Sequence, residues 1–185
     1  MAPRPQPLGD LTLARLATVC GVFTDIDDTL TVEGGLDPAA RRALDALWAA
    51  GLPVIAITGR PMGWSLPFAQ AWPVAAIVAE NGAVAMFRDG AALCTEYAQD
   101  EPTRMRNAER LRTVSAMVLR EVPGATLAQD SAGRVTDIAI DHSEFAHLDA
   151  MQIARVAAVM QREGMNATVS SIHINGWYGE HTKLS

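Results

Sequence analysis

Between Gly21 and Thr29 the chain passes from a brief apolar run, Val22-Phe23-Thr24, directly into Asp25-Ile26-Asp27-Asp28. A short apolar run bounded this sharply reads as a buried strand. Its carboxyl end is where open α/β sheets place their ligands, so the aspartates stand at a favoured position for chemistry. In an extended stretch Asp25 and Asp27 point the same way. Two carboxylates crowding one spot are costly unless a cation or a substrate proton resolves the repulsion. The competing reading is a polar turn or helix cap after a strand, but an Asx turn has no need of paired aspartates.

The segments that follow predict how this strand is covered. Asp37 and Pro38 supply an N-cap and a first-turn proline, Ala40, Leu44, Leu47 and Trp48 recur at helical spacing, and Gly51 stands where a C-terminal cap belongs. Pro53 to Ile57 and Pro73 to Ala79 read as two further buried strands, joined by a short helix over Ser65 to Gln70 that Pro67 interrupts. This alternation predicts a parallel sheet with right-handed crossovers. A helical piece at Leu11 to Val19 precedes the first strand, and a hairpin turning at Asp89-Gly90 follows the third. From about residue 98 the grammar changes. A helix from about Thr103 to Val122, strands at Ala125 to Gln129 and Val135 to Asp141, a helix opened by Asp149 and Gln152 and stopped at Gly164, and strands at Asn166 to Ser171 and Ile172 to Asn175 form two helix-strand-strand units. They predict an α+β insertion at 98–175 in a core of residues 1–97 and 176–185.

Composition narrows the partners. With 185 residues, 49% of them hydrophobic and 19% charged, the chain can bury one sizeable core and is not a disordered sequence. A net charge of −6 argues against a large surface for nucleic acid or anionic lipid, while leaving room for one local positive pocket. Cys20 and Cys94 are too few for a disulfide framework or a cysteine-based zinc site, which points to a reducing compartment and the cytoplasm. The longest apolar stretch, from Trp72 to Ala79, falls far short of the roughly 20 residues of a membrane helix. The proline-rich start, Met1 to Pro7, reads as a frayed arm without a hydrophobic signal region.

The other predicted strands also end in polar groups. The second ends in Thr58-Gly59-Arg60, a hydroxyl, a glycine allowing close backbone approach and a guanidinium, which suits an anion. The third ends in Glu80-Asn81-Gly82-Ala83. Lys183 is the single lysine of a chain with fourteen arginines. A compact ammonium with rotatable donors suits a phosphoryl oxygen that moves during reaction, although a solvated terminal lysine is the plainer alternative.

Taken in order, Asp25-Ile26-Asp27-Asp28-Thr29-Leu30-Thr31, Thr58-Gly59-Arg60, Glu80-Asn81-Gly82-Ala83 and Lys183 resemble the motifs of the haloacid dehalogenase superfamily. The closer likeness is to its Cof-like or type IIB branch of sugar-phosphate phosphatases and phosphomannomutases, in which a large α+β cap is inserted. The resemblance implies an α/β fold, a Rossmann-like parallel sheet core with an inserted α+β cap domain. It implies a Mg²⁺-dependent phosphatase in which Asp25 attacks phosphorus and Asp27 is general acid and then base. Thr58, Gly59 and Lys183 would bind the phosphoryl group, and Mg²⁺ would sit on Asp25 and Asp27. The expected substrate is a small phosphorylated metabolite, a sugar or sugar-acid phosphate, with Arg60 and Asn81 near it. A phosphomutase of the same fold and a catalytically incomplete binding protein are the alternatives. The family's further acidic loop lies beyond the lysine. The chain is therefore expected to be part of a longer protein, with the first strand an open edge prone to self-association.

Weaker features complete the reading. His173 and Asn175 alternate with Ile172 and Ile174 and so share a strand face, either reading a substrate hydroxyl or facing solvent. His142 and His147 are expected at the surface, the arginines of 104–112 on a solvated helix face, and Trp177-Tyr178 in the linker returning from cap to core.

Overall fold

The computed structural model describes residues 7–32 and 34–183. The chain forms two hydrophobic cores. In the first, β1 (Val22–Asp25), β4 (Val54–Ile57), β5 (Ala76–Ala79), β6 (Val84–Asp89) and β7 (Ala92–Tyr97) make one sheet in the spatial order β1-β4-β5-β6-β7. The first three strands are parallel and the last two antiparallel, turning at Gly90. Ile26, Leu44, Val54, Ala56, Ile77 and Met86 are buried around it.

Local chemistry accounts for the covering helices. In α2 (Pro38–Ala49) the Asp37 side chain accepts from the amides of Ala39 and Ala40, as the sequence predicts, and Leu44 faces the core. Helix α3 (Met62–Ala71) runs through Pro67 instead of being broken by it. A proline inside a helix forfeits one backbone bond and costs about 3 kcal/mol or more. The burial of Ser65 and Ala69, with Trp64, Leu66 and Phe68 packed against the core, offsets that cost. Of the helical piece expected at Leu11 to Val19, only the four residues of α1 (Leu13–Leu16) are α-helical, after a 3-10 turn at Leu8–Asp10. A two-strand ribbon, β2 (Thr31–Val32) with β3 (Gly35–Leu36), leads from β1 to α2. β1 is an edge of the sheet, and Phe23 upon it is 71% exposed.

The second core holds α4 (Glu101–Glu121), β8 (Thr126–Leu127), β9 (Asp137–Asp141), α5 (Ala150–Arg162), β10 (Asn166–Val169) and β11 (His173–Trp177). Its antiparallel sheet has the order β10-β11-β9-β8, and both helices pack on it through Leu111, Val118, Val156, Met160, Ile140 and Ile174. The capping box of Asp149 and Gln152 is present, both hydrogen bonds being 2.8 Å. β11 runs two residues past the expected limit at 175, because Gly176 and Trp177 still pair with β9 and β10. The two bodies meet where Gly63 of α3 lies against Gly133; a Cβ on Gly63 would stand 3.0 Å from the Gly133 Cα, so the close approach requires glycine.

At the end of β9 the Asp141 carboxylate accepts from the amides of Ser143, Glu144, Phe145 and Ala146, at 2.9–3.1 Å. These bonds favour the ionised form and hold the Asp141 pKa below its ordinary value, outweighing burial, which alone pushes it up. An acid whose pKa is lowered by folding contributes stability that is present above its unfolded pKa and lost as the pH falls through the folded one. Asp141→Asn is therefore expected to cost about 1–3 kcal/mol near neutrality. In urea unfolding at a series of pH values, its difference from the wild type should narrow below about pH 4.

Candidate active site

The parallel register brings three strand ends to one edge. Asp25 lies opposite Ile57 on β4, Ile57 lies opposite Val78 on β5, and the chain after each leads to Thr58 and Glu80-Asn81. The Thr58 amide donates to the Val78 carbonyl at 2.9 Å, and the Asn81 amide to the Thr58 carbonyl at 3.1 Å, which fixes these ends side by side. After β1 the carbonyl of buried Ile26 accepts from the amides of Leu30 and Thr31 and from the Thr31 hydroxyl. The tight turn so formed places Asp28 at φ +57°, and Asp25, Asp27 and Asp28 all line one cavity.

Cations resolve the crowding of carboxylates. Lys183 Nζ lies 2.9 Å from Asp25 Oδ1, across 158 positions of sequence. The chain bearing this lysine is pressed against Gly82, where φ is +105° and a Cβ would collide with the Thr182 carbonyl. On the other aspartate, Arg60 Nε reaches Asp27 Oδ1 at 3.1 Å, and the Thr58 hydroxyl donates to Asp27 Oδ2 at 3.2 Å. The same hydroxyl accepts from the Arg60 amide at 2.9 Å. Thr58 and Arg60 thus both hold Asp27 here. Gly59 lines the cavity beside them, and its carbonyl accepts from Arg134 Nη1 at 3.0 Å.

The second body is fastened to this edge through buried polar groups. Glu80, with 0% exposure and φ +49°, accepts from the amides of Met62 at 2.9 Å, Val135 at 3.0 Å and Thr136 at 2.6 Å, and from the Thr136 hydroxyl. Arg134 binds both oxygens of Asp137 at 2.9 Å and reaches Asp130 at 3.2 Å. Burial pushes the Asp137 carboxyl up to about 6 against the pull of Arg134. The Asn81 and Asn175 side chains, which line the cavity, each donate to Oδ2 of the buried Asp137 at 3.3 Å, so these two predicted site residues meet on a structural carboxylate.

His173 is buried as well, so neither it nor Asn175 lies on a solvated strand face. Its Nε2 lies 2.9 Å from Glu144 Oε2, and burial, the largest influence, lowers its pKa and favours the neutral ring. Glu144 and Asp130 also approach Arg60 Nη1, at 3.9 and 3.6 Å. His142, expected at the surface, is buried with Nε2 3.0 Å from the Ser170 carbonyl, because it sits where β9 leaves the sheet. Two arginines of α4 are more than a solvated face, since Arg104 stacks on Tyr97 at 3.7 Å and Arg110 on Tyr178 at 3.6 Å.

Sequence reasoning missed the roles of Glu80, Arg134, Asp137 and Glu144. Glu80 carried a signal, a carboxylate directly after an apolar strand. Glu144 carried none, since it lies in an irregular loop whose place depends on Asp141. Glu144 lines a cavity of about 1000 Å³ whose floor is Asp25, Asp27, Arg60 and Lys183 and whose far wall is β10, β11 and the turn between them. This is the upper end of the size range of small-molecule sites. Such a floor can hold an anion and present a carboxylate nucleophile to it.

Residues 22–105 match the family model described as haloacid dehalogenase-like hydrolase. Solved structures agree. Protein 0175 of Thermoplasma acidophilum is 13% identical, with a TM-score of 0.69 over 88% of this chain and 66% of its own. The C-terminal domain of trehalose-6-phosphate phosphatase from Candida albicans is 14% identical, with a TM-score of 0.62 over 88% of this chain and 58% of its own. A phosphatase of the haloalkanoate enzyme superfamily from Bacteroides thetaiotaomicron is 14% identical, with a TM-score of 0.57 over 94% and 72%. The chain thus spans less than two thirds of the first two. No curated protein matches it by sequence. No helix among the described residues is long and apolar enough to cross a membrane.

Removing the Glu80 carboxylate would strand several buried donors at once, each costing about 1–3 kcal/mol. Glu80→Ala is expected to lower unfolding stability by about 3 kcal/mol or more, measured by urea denaturation.

Proposed function

We propose that the protein is a cytoplasmic Mg²⁺-dependent phosphatase that hydrolyses a small phosphorylated metabolite, a sugar phosphate in class, through an aspartyl-phosphate. The observation that carries this reading is the pair of carboxylates at the end of β1, each held by its own cation, on the floor of a cavity. The superfamily fold and its phosphatase neighbours support it.

In this reading an Asp25 oxygen attacks phosphorus and the bond from phosphorus to the ester oxygen breaks. Protonated Asp27 gives its proton to the departing oxygen, releasing an alcohol. Asp27, now a carboxylate, takes a proton from water, whose oxygen attacks the phosphorus and breaks the bond to Asp25, returning the carboxylate and inorganic phosphate. Arg60 and Thr58 orient Asp27 for both transfers. Lys183 holds Asp25 and is placed to meet phosphoryl oxygens beside it.

The donor chemistry suits a hard cation. Asp25 and Asp27 offer carboxylate oxygens at the cavity floor, and Mg²⁺ is commonly bound by one or two carboxylates completed by phosphate and water. Among the described residues there is no group of three or more His, Cys, Asp or Glu side chains placed to hold a metal ion. Such a cation supplies charge neutralisation between the anionic nucleophile and the phosphoryl group.

The test is phosphate release from p-nitrophenyl phosphate and a panel of sugar phosphates with the full natural chain. Asp25→Asn is expected to lower kcat by about a thousandfold or more. Chelation should abolish turnover and added Mg²⁺ should restore it. Unchanged rates in Asp25→Asn, or exchange between two sugar phosphates without free phosphate, would overturn the reading.

A further inference from the structure

The walls of the cavity are not electrically alike. Its cations, Arg60 and Lys183, lie at the floor, and both are engaged by Asp27 and Asp25. From the cap, the charged side chain that lines it is Glu144, 29% exposed, with the buried His173 beside it. The rest of that wall offers neutral polar groups, among them Asn166, Thr168, Ser170 and Asn175. A leaving group reaching away from the phosphoryl site therefore meets a carboxylate and hydroxyl or amide groups, and the guanidinium beside that carboxylate, Arg60, is already shared with Asp27 and Asp130.

Glu144 is built to face it. Asp141 gathers the loop amides from Ser143 to Ala146, and His173 engages Oε2, so the carboxylate is fixed at both its backbone and one oxygen. Oε1 has its nearest charged neighbour, Arg60 Nη1, at 3.9 Å, beyond hydrogen-bond length. That oxygen retains its capacity to accept from a substrate hydroxyl, and a charge-assisted bond of this kind is among the stronger ones. A carboxylate or second phosphate placed there would face like charge beside an Arg60 guanidinium that already faces Asp27, Asp130 and Glu144, a juxtaposition that disfavours binding.

We infer that Glu144 is the specificity-determining residue of this site, selecting phosphate esters with an uncharged, hydroxyl-bearing leaving group and rejecting those with a second anion. The inference rests on the phosphoryl site proposed above but not on turnover. It is tested by equilibrium binding to Asp25→Asn protein of two probes, glucose 6-phosphate and 6-phosphogluconate, the second being the open-chain acid in which C1, far from the phosphate, is oxidised to a carboxylate. Glucose 6-phosphate is expected to bind at least about tenfold more tightly, a difference of about 1.4 kcal/mol. Glu144→Gln in the same background should shrink the ratio several-fold, and Glu144→Asp should keep most of it. Thermal unfolding of each variant checks that it is folded.

Equal or tighter binding of 6-phosphogluconate overturns the inference, as does a ratio that Glu144→Gln leaves unchanged or failure of both probes to bind. If the binding preference holds while wild-type protein releases no phosphate from p-nitrophenyl phosphate, the proposed hydrolysis falls and the selectivity stands.

Discussion

Two carboxylates at the end of one strand repel each other, and the way this structure meets that repulsion organises much else. Lys183 and Arg60 come to Asp25 and Asp27 from different places, one from the chain returning after the whole cap excursion, the other from the end of the neighbouring strand. The lysine can reach only because its chain passes over Gly82, where any side chain would block it. Closing so long a loop costs only slowly increasing entropy, so the excursion from Ala98 to Trp177 is thermodynamically tolerable.

The second constraint is that the cap is attached by charge in a dry place. Glu80, Arg134 and Asp137 are taken from water, which is unfavourable unless every lone pair and proton finds a partner. Here they do. Glu80 receives backbone and hydroxyl donors from both bodies, and Arg134 divides its donors among Asp137, Asp130 and the Gly59 carbonyl. Such a network is demanding about geometry, and that demand fixes how the cap wall stands over the floor. The same interface turns Asn81 and Asn175 inward to Asp137, giving them a place in the architecture of the cavity as well as on its surface.

Much of the fold was legible because it depends on neighbours in sequence. The N-caps of α2 and α5 are formed by residues within three positions, and the apolar strands announce themselves by composition. Where the reading went astray, distant contacts had overruled local preference. Pro67 stays in a helix because that helix is packed against the first core, His142 is buried because β9 ends beneath the turn at Ser170, and Arg104 and Arg110 lie over tyrosines outside their helix.

The sequence by itself determined which chemistry was at hand. Asp25 and Asp27 are two residues apart where a strand gives way to a turn, so their nearness is a local consequence of the chain, and a single lysine among fourteen arginines stood out by its type alone. Only the tertiary structure decided what each group touches. The pairing of Lys183 with Asp25, the turning of Thr58 and Arg60 onto Asp27, and the arrival of Glu144 in the same cavity bring together residues from separate elements. Electrostatic and hydrogen-bond energies depend on separations of a few ångströms, and those separations arise from packing, to which sequence spacing gives no direct measure.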